Sequence, residues 1–201
     1  MEWTLFIFLL LLVSAVILNR YRVKKMIALE PIILTKPDSF HRKVEVFLQV
    51  SMILWWIQLF VFSLPKNWID LTFIPNMYLP FFIFEPLGYL LLYAGLFIIA
   101  SALYTLGKSW RIGIDEKNAG PLVTKGLYQY IRHPIYTGLF VILSGSLFIL
   151  PNLLTFFLAL CAATGTATEA YLEEQFLLSK FGDVYKSYMI ETSRFIPKNF
   201  L

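Results

Sequence analysis

The residues best suited to chemistry in this 201-residue chain lie in its second half. One group is Arg132-His133-Pro134-Ile135-Tyr136, preceded by Gly120-Pro121-Leu122-Val123 and by Tyr128. Proline disfavours the α conformation in the residue before it and suits the first position of a helix. His133 is therefore expected at the mouth of a helix, with Tyr136 within its first turn. The first N–H groups of a helix lack internal partners and carry positive potential, so this mouth is a seat for a carboxylate or phosphate. The same residues read equally well as a stop and restart of the chain, with Arg132 and Tyr136 as interface anchors.

The second group is acidic. Thr155, Ala159, Ala162, Thr166, Glu169 and Glu173 recur at spacings that place them on one helical face, small at first and then acidic. Small residues suit a packing seam. A seam does not explain two carboxylates where a helix leaves a membrane, and ionisable groups at that depth mark a candidate functional site. Glu174 points about 100° away from this face and reads as solvated. His41, in a basic stretch, reads the same way. Glu85 near the outer end of an apolar run can reach headgroups, and Trp55, Trp56, Trp68 and Tyr78 read as interfacial aromatics.

Composition dictates what must position these groups. Hydrophobic residues make up 58% of the chain and charged ones 15%, against about 45–50% and 25% in soluble domains. The chain is thus a membrane protein, and with 19 Phe, 11 Tyr and 5 Trp it is not a disordered one. A single cysteine, Cys161, excludes an intrachain disulfide, and His41 and His133 are the only histidines, so no metal centre is expected. The net charge of +4 reports membrane orientation rather than nucleic-acid binding, because the basic residues sit between apolar runs.

Those runs cover 3–19, 44–64, 81–106, 135–150 and 153–172. Each is close to the roughly 20 residues a spanning helix needs. The Pro151-Asn152 break is too short to recross water, so the last two runs form a tight hairpin. Segments 20–43, 107–134 and 173–201 hold seven, five and four Lys/Arg, leaving only Lys66 elsewhere. The expected architecture is all-α: a single membrane domain over 1–201 with five transmembrane helices, N-terminus outside, C-terminus cytosolic, and a C-terminal cytosolic helical tail. Basic residues follow the first run rather than precede it, which suits an uncleaved anchor rather than a signal peptide. Residues 1–104 read as scaffold and 105–201 as the half that carries chemistry. Phe176, Leu177, Phe181, Tyr185 and Tyr188 give the tail an apolar stripe that can fold back on the bundle, with Gly182 as a break.

The pattern Leu122-Val123-x-x-Gly126-x-Tyr128-x-x-x-Arg132-His133-Pro134-x-Tyr136-x-Gly138 closely resembles the integral-membrane methyltransferases. These include isoprenylcysteine carboxyl methyltransferase and the phospholipid N-methyltransferases. The resemblance resumes at Glu173-Glu174, Phe181-Gly182-x-x-Tyr185-x-x-Tyr188 and Arg194-x-x-Pro197, and covers about residues 105–200. It implies an S-adenosylmethionine site on the cytosolic side. The implied cofactor contacts are Gly120, Pro121, Leu122, Val123, Tyr128, His133, Pro134, Ile135, Tyr136 and Glu173. Glu169 is the candidate catalytic residue, orienting or deprotonating the acceptor, with a structural pairing to a basic residue such as Arg132 as the alternative. In the prenylcysteine enzymes an arginine implicated in substrate binding stands one turn before the first glutamate of the pair; here that position is Glu169. A neutral thiol, a hydroxyl or an amine therefore fits better than a carboxylate. The expected partners are a lipophilic or small methyl acceptor and membrane lipid, with no nucleic acid and no metal. Two other readings are an NADPH-dependent sterol-reductase-like enzyme, which typically follows His-Pro with Asn-Tyr rather than Ile135-Tyr136, and a non-enzymatic membrane scaffold.

Overall fold

The computed structural model describes residues 2–28, 40–64, 81–110 and 120–198. Lys66, Trp68 and Tyr78, used above for orientation and interface, lie outside them. The described residues form six helices in order: α1 Glu2–Ile27, α2 Phe40–Ser63, α3 Phe81–Leu106, α4 Pro134–Ile149, α5 Leu153–Phe181 and α6 Asp183–Glu191. Short 3₁₀ turns at Gly107–Ser109 and Gly126–Gln129 lie between α3 and α4. No strand occurs among the described residues, and the expected all-α class holds.

Among the described residues four helices are long and apolar enough to cross a membrane: α1, α2, α3 and α5. Helix α4 has 16 residues, about 24 Å at 1.5 Å per residue, short of a hydrocarbon core of roughly 30 Å. The bundle surface carries the apolar band that lipid requires. Ile7, Leu10 and Leu11 on α1, Val50, Ile53 and Ile57 on α2, and Phe156, Phe157 and Leu160 on α5 are all exposed. A water-soluble monomer does not expose so continuous an apolar surface, so the protein is an integral membrane protein.

Close packing inside the band comes from residues without bulk. On α3 and α4, glycines seven residues apart face each other in antiparallel register. A Cβ at Gly95 would sit 2.6 Å from the Gly138 carbonyl, and one at Gly88 would sit 2.9 Å from that of Gly145. The backbones touch there, as small residues allow in a membrane. Helix α5 uses its small face against α2: Ala159, Ala162 and Thr166 are buried, and Gly165 lies against Leu48.

Polar pins fix the register of this second pair. Gln58 donates to Thr155 at 2.6 Å, and Trp55 Nε1 donates to Ser146 on α4 at 3.1 Å. Trp55 is fully buried, so it is a core residue rather than an interfacial one; its indole N–H finds a partner inside the bundle, which removes the reason to seek the headgroups. Trp56, beside it, is partly buried.

The expected hairpin joins α4 to α5. Asn152 caps α5 by accepting from the Thr155 N–H at 2.9 Å. Helix α5 continues about ten residues past its apolar run and stops at Gly182, whose φ of +53° only glycine adopts without strain. The turn sends α6 back, burying Tyr185 and Tyr188. After α6 the chain runs parallel to 131–133 as an isolated bridge: Arg132 N–H donates to Ser193 O at 2.8 Å and His133 N–H to Arg194 O at 3.1 Å.

Candidate functional site

His133 occupies the N-cap of α4, with Pro134 at the first helical position. Both ring nitrogens of His133 face carboxylates: Nδ1 lies 3.5 Å from Glu173 and Nε2 lies 3.3 Å from Glu174. The imidazole also stacks on Tyr136, with centroids 5.3 Å apart and planes 8° from parallel. Burial by itself would lower its pKa, but the Glu173 and Glu174 carboxylates outweigh it and hold the imidazolium above its ordinary range.

Glu174 corrects the sequence expectation. It is fully buried rather than solvated, because the return of the tail brings cations over it. Arg132 Nε donates to Oε1 at 2.8 Å, and Arg194 Nε donates to Oε2 at 3.1 Å. This cluster ties α5, the mouth of α4 and the tail into one unit. Neighbouring glutamates thus divide in role. Glu174 is consumed by structure, whereas Glu173 is 41% exposed at its side chain and opens onto a cavity.

That cavity, of about 460 Å³, is lined by Gly120, Pro121, Leu122, Val123, Tyr128, His133, Ile135, Tyr136, Glu169 and Glu173 among others. Pro134 is buried at the start of α4 and shapes the mouth without being among the lining residues. Tyr128 is buried, and burial with Glu173 and Tyr188 nearby pushes its phenol well above the ordinary range, so it stays a neutral donor. The opposite wall comes from the half read as scaffold: Leu12 and Val16 of α1, Glu45, Leu48, Met52 and Trp56 of α2, and Leu103 of α3.

His41 is a second correction. It lies on α2 rather than in a solvated loop, its side chain 12% exposed, and its Nε2 is 2.7 Å from Glu169 Oε1. Glu169 therefore pairs with His41, and Arg132 pairs with Glu174. Glu45 completes the group. One ligand atom from each of His41, Glu45 and Glu169 falls within 4.8 Å of the others, so the expectation that no such cluster forms does not hold. The three come from helices 128 residues apart in sequence, a juxtaposition no spacing rule reveals. Arg42 donates to Glu45 Oε2 at 3.2 Å and places a positive charge beside it.

Sequence reasoning also missed Ser109, Trp110 and Tyr185 as wall residues. The tail motif around Gly182 carried a signal for Tyr185; nothing local carried one for the others.

The cavity offers surroundings for both signs of charge. Its volume is that of a small-molecule site. Gly120 has no room for a side chain, since a Cβ would meet Ser109 Oγ at 2.6 Å, so this wall packs directly against the 3₁₀ turn at the end of α3. Tyr185 lines the cavity, and its hydroxyl is buried without a hydrogen-bond partner among the described residues. The first-turn N–H groups of α4 favour an anion, while Glu173 and the aromatic faces favour a cation.

Comparison with known proteins places the chain among methyltransferases. The family described as phospholipid methyltransferase matches residues 84–184. The chain is 32% identical over 129 residues, 63% of its length, to protein-S-isoprenylcysteine O-methyltransferase of Schizosaccharomyces pombe, covering 54% of that protein. It is 32% identical over 90 residues to methanethiol S-methyltransferase of a Pseudomonas species, 45% of this chain and 33% of that one. It is 30% identical over 134 residues to the Dictyostelium discoideum protein-S-isoprenylcysteine O-methyltransferase, 63% of this chain and 54% of that one. The matches thus span at most about half the length of these relatives.

Proposed function

The chain belongs to the phospholipid methyltransferase family, and from that premise we propose that it transfers a methyl group from S-adenosylmethionine to a small or lipophilic acceptor at the cytosolic membrane face. Helix α4 is the fifth span in this reading, completed by a thinned bilayer or by its flanking residues. The basic segments set the N-terminus outside and the C-terminus in the cytosol. Residues 105–201 supply the cofactor end of the cavity, and α1 and α2 supply the acceptor end.

The observation that carries the reading is the meeting of His133, Tyr136 and Glu173 at the head of α4, on the same wall as Glu169. When bound, the donor supplies a methyl group already activated on a sulfonium. Gly120, Pro121, Leu122, Val123, Tyr128, His133, Ile135, Tyr136 and Glu173 would hold it, with Pro134 fixing the direction of α4. The helix mouth takes a carboxylate, Glu173 accepts hydrogen bonds from hydroxyl or amino groups, and Tyr136 offers a ring face to positive charge. The apolar wall excludes water and aligns the acceptor, and alignment of two reactants is worth about 7–11 kcal/mol of barrier. Glu169, one helical turn before Glu173, orients the acceptor or takes its proton. The three relatives are all named as methyltransferases, which favours this reading over a nicotinamide-dependent reductase.

Calorimetric titration of purified protein with S-adenosylhomocysteine and, separately, NADPH tests it. Binding of the first is expected; binding of NADPH alone refutes it. Labelled donor with a panel of lipophilic thiols, phenols, amines and prenylated cysteines then identifies the acceptor.

A further inference from the structure

The acceptor end of the cavity holds a carboxylate that is only half used. Glu169 Oε1 is engaged by His41 Nε2 at 2.7 Å. Its other oxygen, Oε2, is buried and has no partner among the described residues. The residue is only 8% exposed, and a buried acceptor left without a donor is costly. It lines the cavity together with Glu45, amid Leu48, Met52, Trp56 and Leu103. A ligand that brings a proton-bearing group to Oε2 removes that cost.

Resting on the methyl-transfer reading above, we infer that His41, Glu45 and Glu169 form an acceptor subsite that takes a neutral lipophilic thiol and turns away carboxylates. His41 is the positioning residue: its Nε2, 2.7 Å from Oε1, fixes the carboxylate and leaves Oε2 for the acceptor's proton. Glu45, 4.0 Å from the same imidazole nitrogen, adds a second negative charge to the wall. A carboxylate acceptor entering here meets two anions. An amine arrives protonated, so its lone pair is tied up in the ion pair it would form with them. A hydroxyl is too weak an acid for a carboxylate to deprotonate. A thiol is a far stronger acid than an alcohol (pKa about 8.5 for a cysteine), so it is the acceptor whose proton a buried carboxylate takes most readily, and the thiolate is the nucleophilic form.

The step balances. The S–H bond breaks and its proton goes to Glu169 Oε2. The sulfur pair forms the new C–S bond to the methyl group, and the electrons of the old C–S bond return to the donor sulfur, leaving a neutral thioether. One negative and one positive charge disappear together, which a low-dielectric cavity favours.

Decane-1-thiol, decanoate and decylamine, matched in chain length, form the test, with S-adenosylhomocysteine binding measured alongside. The wild-type protein is expected to methylate the thiol in preference to the other two, and to bind decane-1-thiol more tightly than decanoate by calorimetry in the absence of donor. Glu169→Gln is expected to lower thiol turnover roughly 10²–10⁴-fold while keeping affinity for S-adenosylhomocysteine and gaining affinity for decanoate. His41→Gln, which retains an N–H for Oε1, is expected to keep more turnover than His41→Leu. Decanoate bound or methylated as well as the thiol overturns the inference, as does unchanged thiol turnover in Glu169→Gln; either result with S-adenosylhomocysteine binding intact leaves the methyl-transfer reading standing. Failure of the wild type to bind S-adenosylhomocysteine overturns that reading itself, and the subsite with it.

Discussion

Replacing Glu174 by Gln keeps the shape of the side chain and removes the charge on which the tail is folded. In the native structure this carboxylate is fully buried and receives Arg132 Nε at 2.8 Å, Arg194 Nε at 3.1 Å and His133 Nε2 at 3.3 Å. The side chains of Arg132 and His133 are 9% and 5% exposed, so neither cation can turn to water without moving the chain. Breaking a buried pair by removing one partner costs about 3–5 kcal/mol, because the remaining charge stays desolvated. The amide oxygen of Gln still accepts one hydrogen bond, which places the cost near 3 kcal/mol. For a chain of this size that is a fall in Tm of roughly 6–12 °C. Arg194 is 38% exposed at its side chain, and Arg194→Gln is expected to cost less than about 1 kcal/mol once solvent screening is allowed for. The double variant Arg132→Met/Glu174→Met removes both buried charges and should recover part of the loss. Thermal unfolding in one detergent, followed by circular dichroism, ranks the three variants. A Glu174→Gln protein as stable as Arg194→Gln would refute the view that this carboxylate is the buried keystone of the tail.

Glu173→Gln is expected to spare stability and weaken S-adenosylhomocysteine binding by about tenfold or more, since it removes a charge-assisted acceptor at the cavity wall; calorimetry decides, and unchanged affinity removes Glu173 from the cofactor site. Because the folded state holds the His133 imidazolium above its ordinary value, its contribution to stability is complete below about pH 6.5 and is lost as pH rises through the folded pKa. Tm should therefore fall from pH 6.5 upward, and the slope should flatten in His133→Asn; a slope of the opposite sign sinks the assignment. Burial pushes the Tyr188 phenol up to about 12, so a further loss of stability is expected above about pH 10, reduced in Tyr188→Phe. Gly95→Leu would press a side chain into the Gly138 carbonyl, 2.6 Å from the position of a Cβ, and is expected to cost several kcal/mol or to prevent folding, read as loss of monodisperse protein.

Much of this molecule was legible without coordinates because a bilayer leaves a chain few options. Every backbone polar group must be satisfied within the hydrocarbon, so long apolar runs become helices. Periodicity placed Ala159, Ala162 and Thr166 on one face, and α5 buries that face. The proline rule placed His133 at a helix mouth, where α4 begins. Local steric rules and solvent partition act within a few residues, and a sequence displays them directly.

What neighbours do across the bundle is decided elsewhere. Nothing in the pair Glu173-Glu174 says which carboxylate faces the cavity; that depended on the tail turning at Gly182 and bringing Arg194 back over α5. Nothing near His41 or Trp55 showed that one would meet Glu169 and the other Ser146, because the packing of α2 antiparallel to α5 and beside α4 makes those encounters. A side chain's chemistry travels with it along the chain, but its partner, its burial and hence its charge state belong to whatever distant segment the fold lays against it.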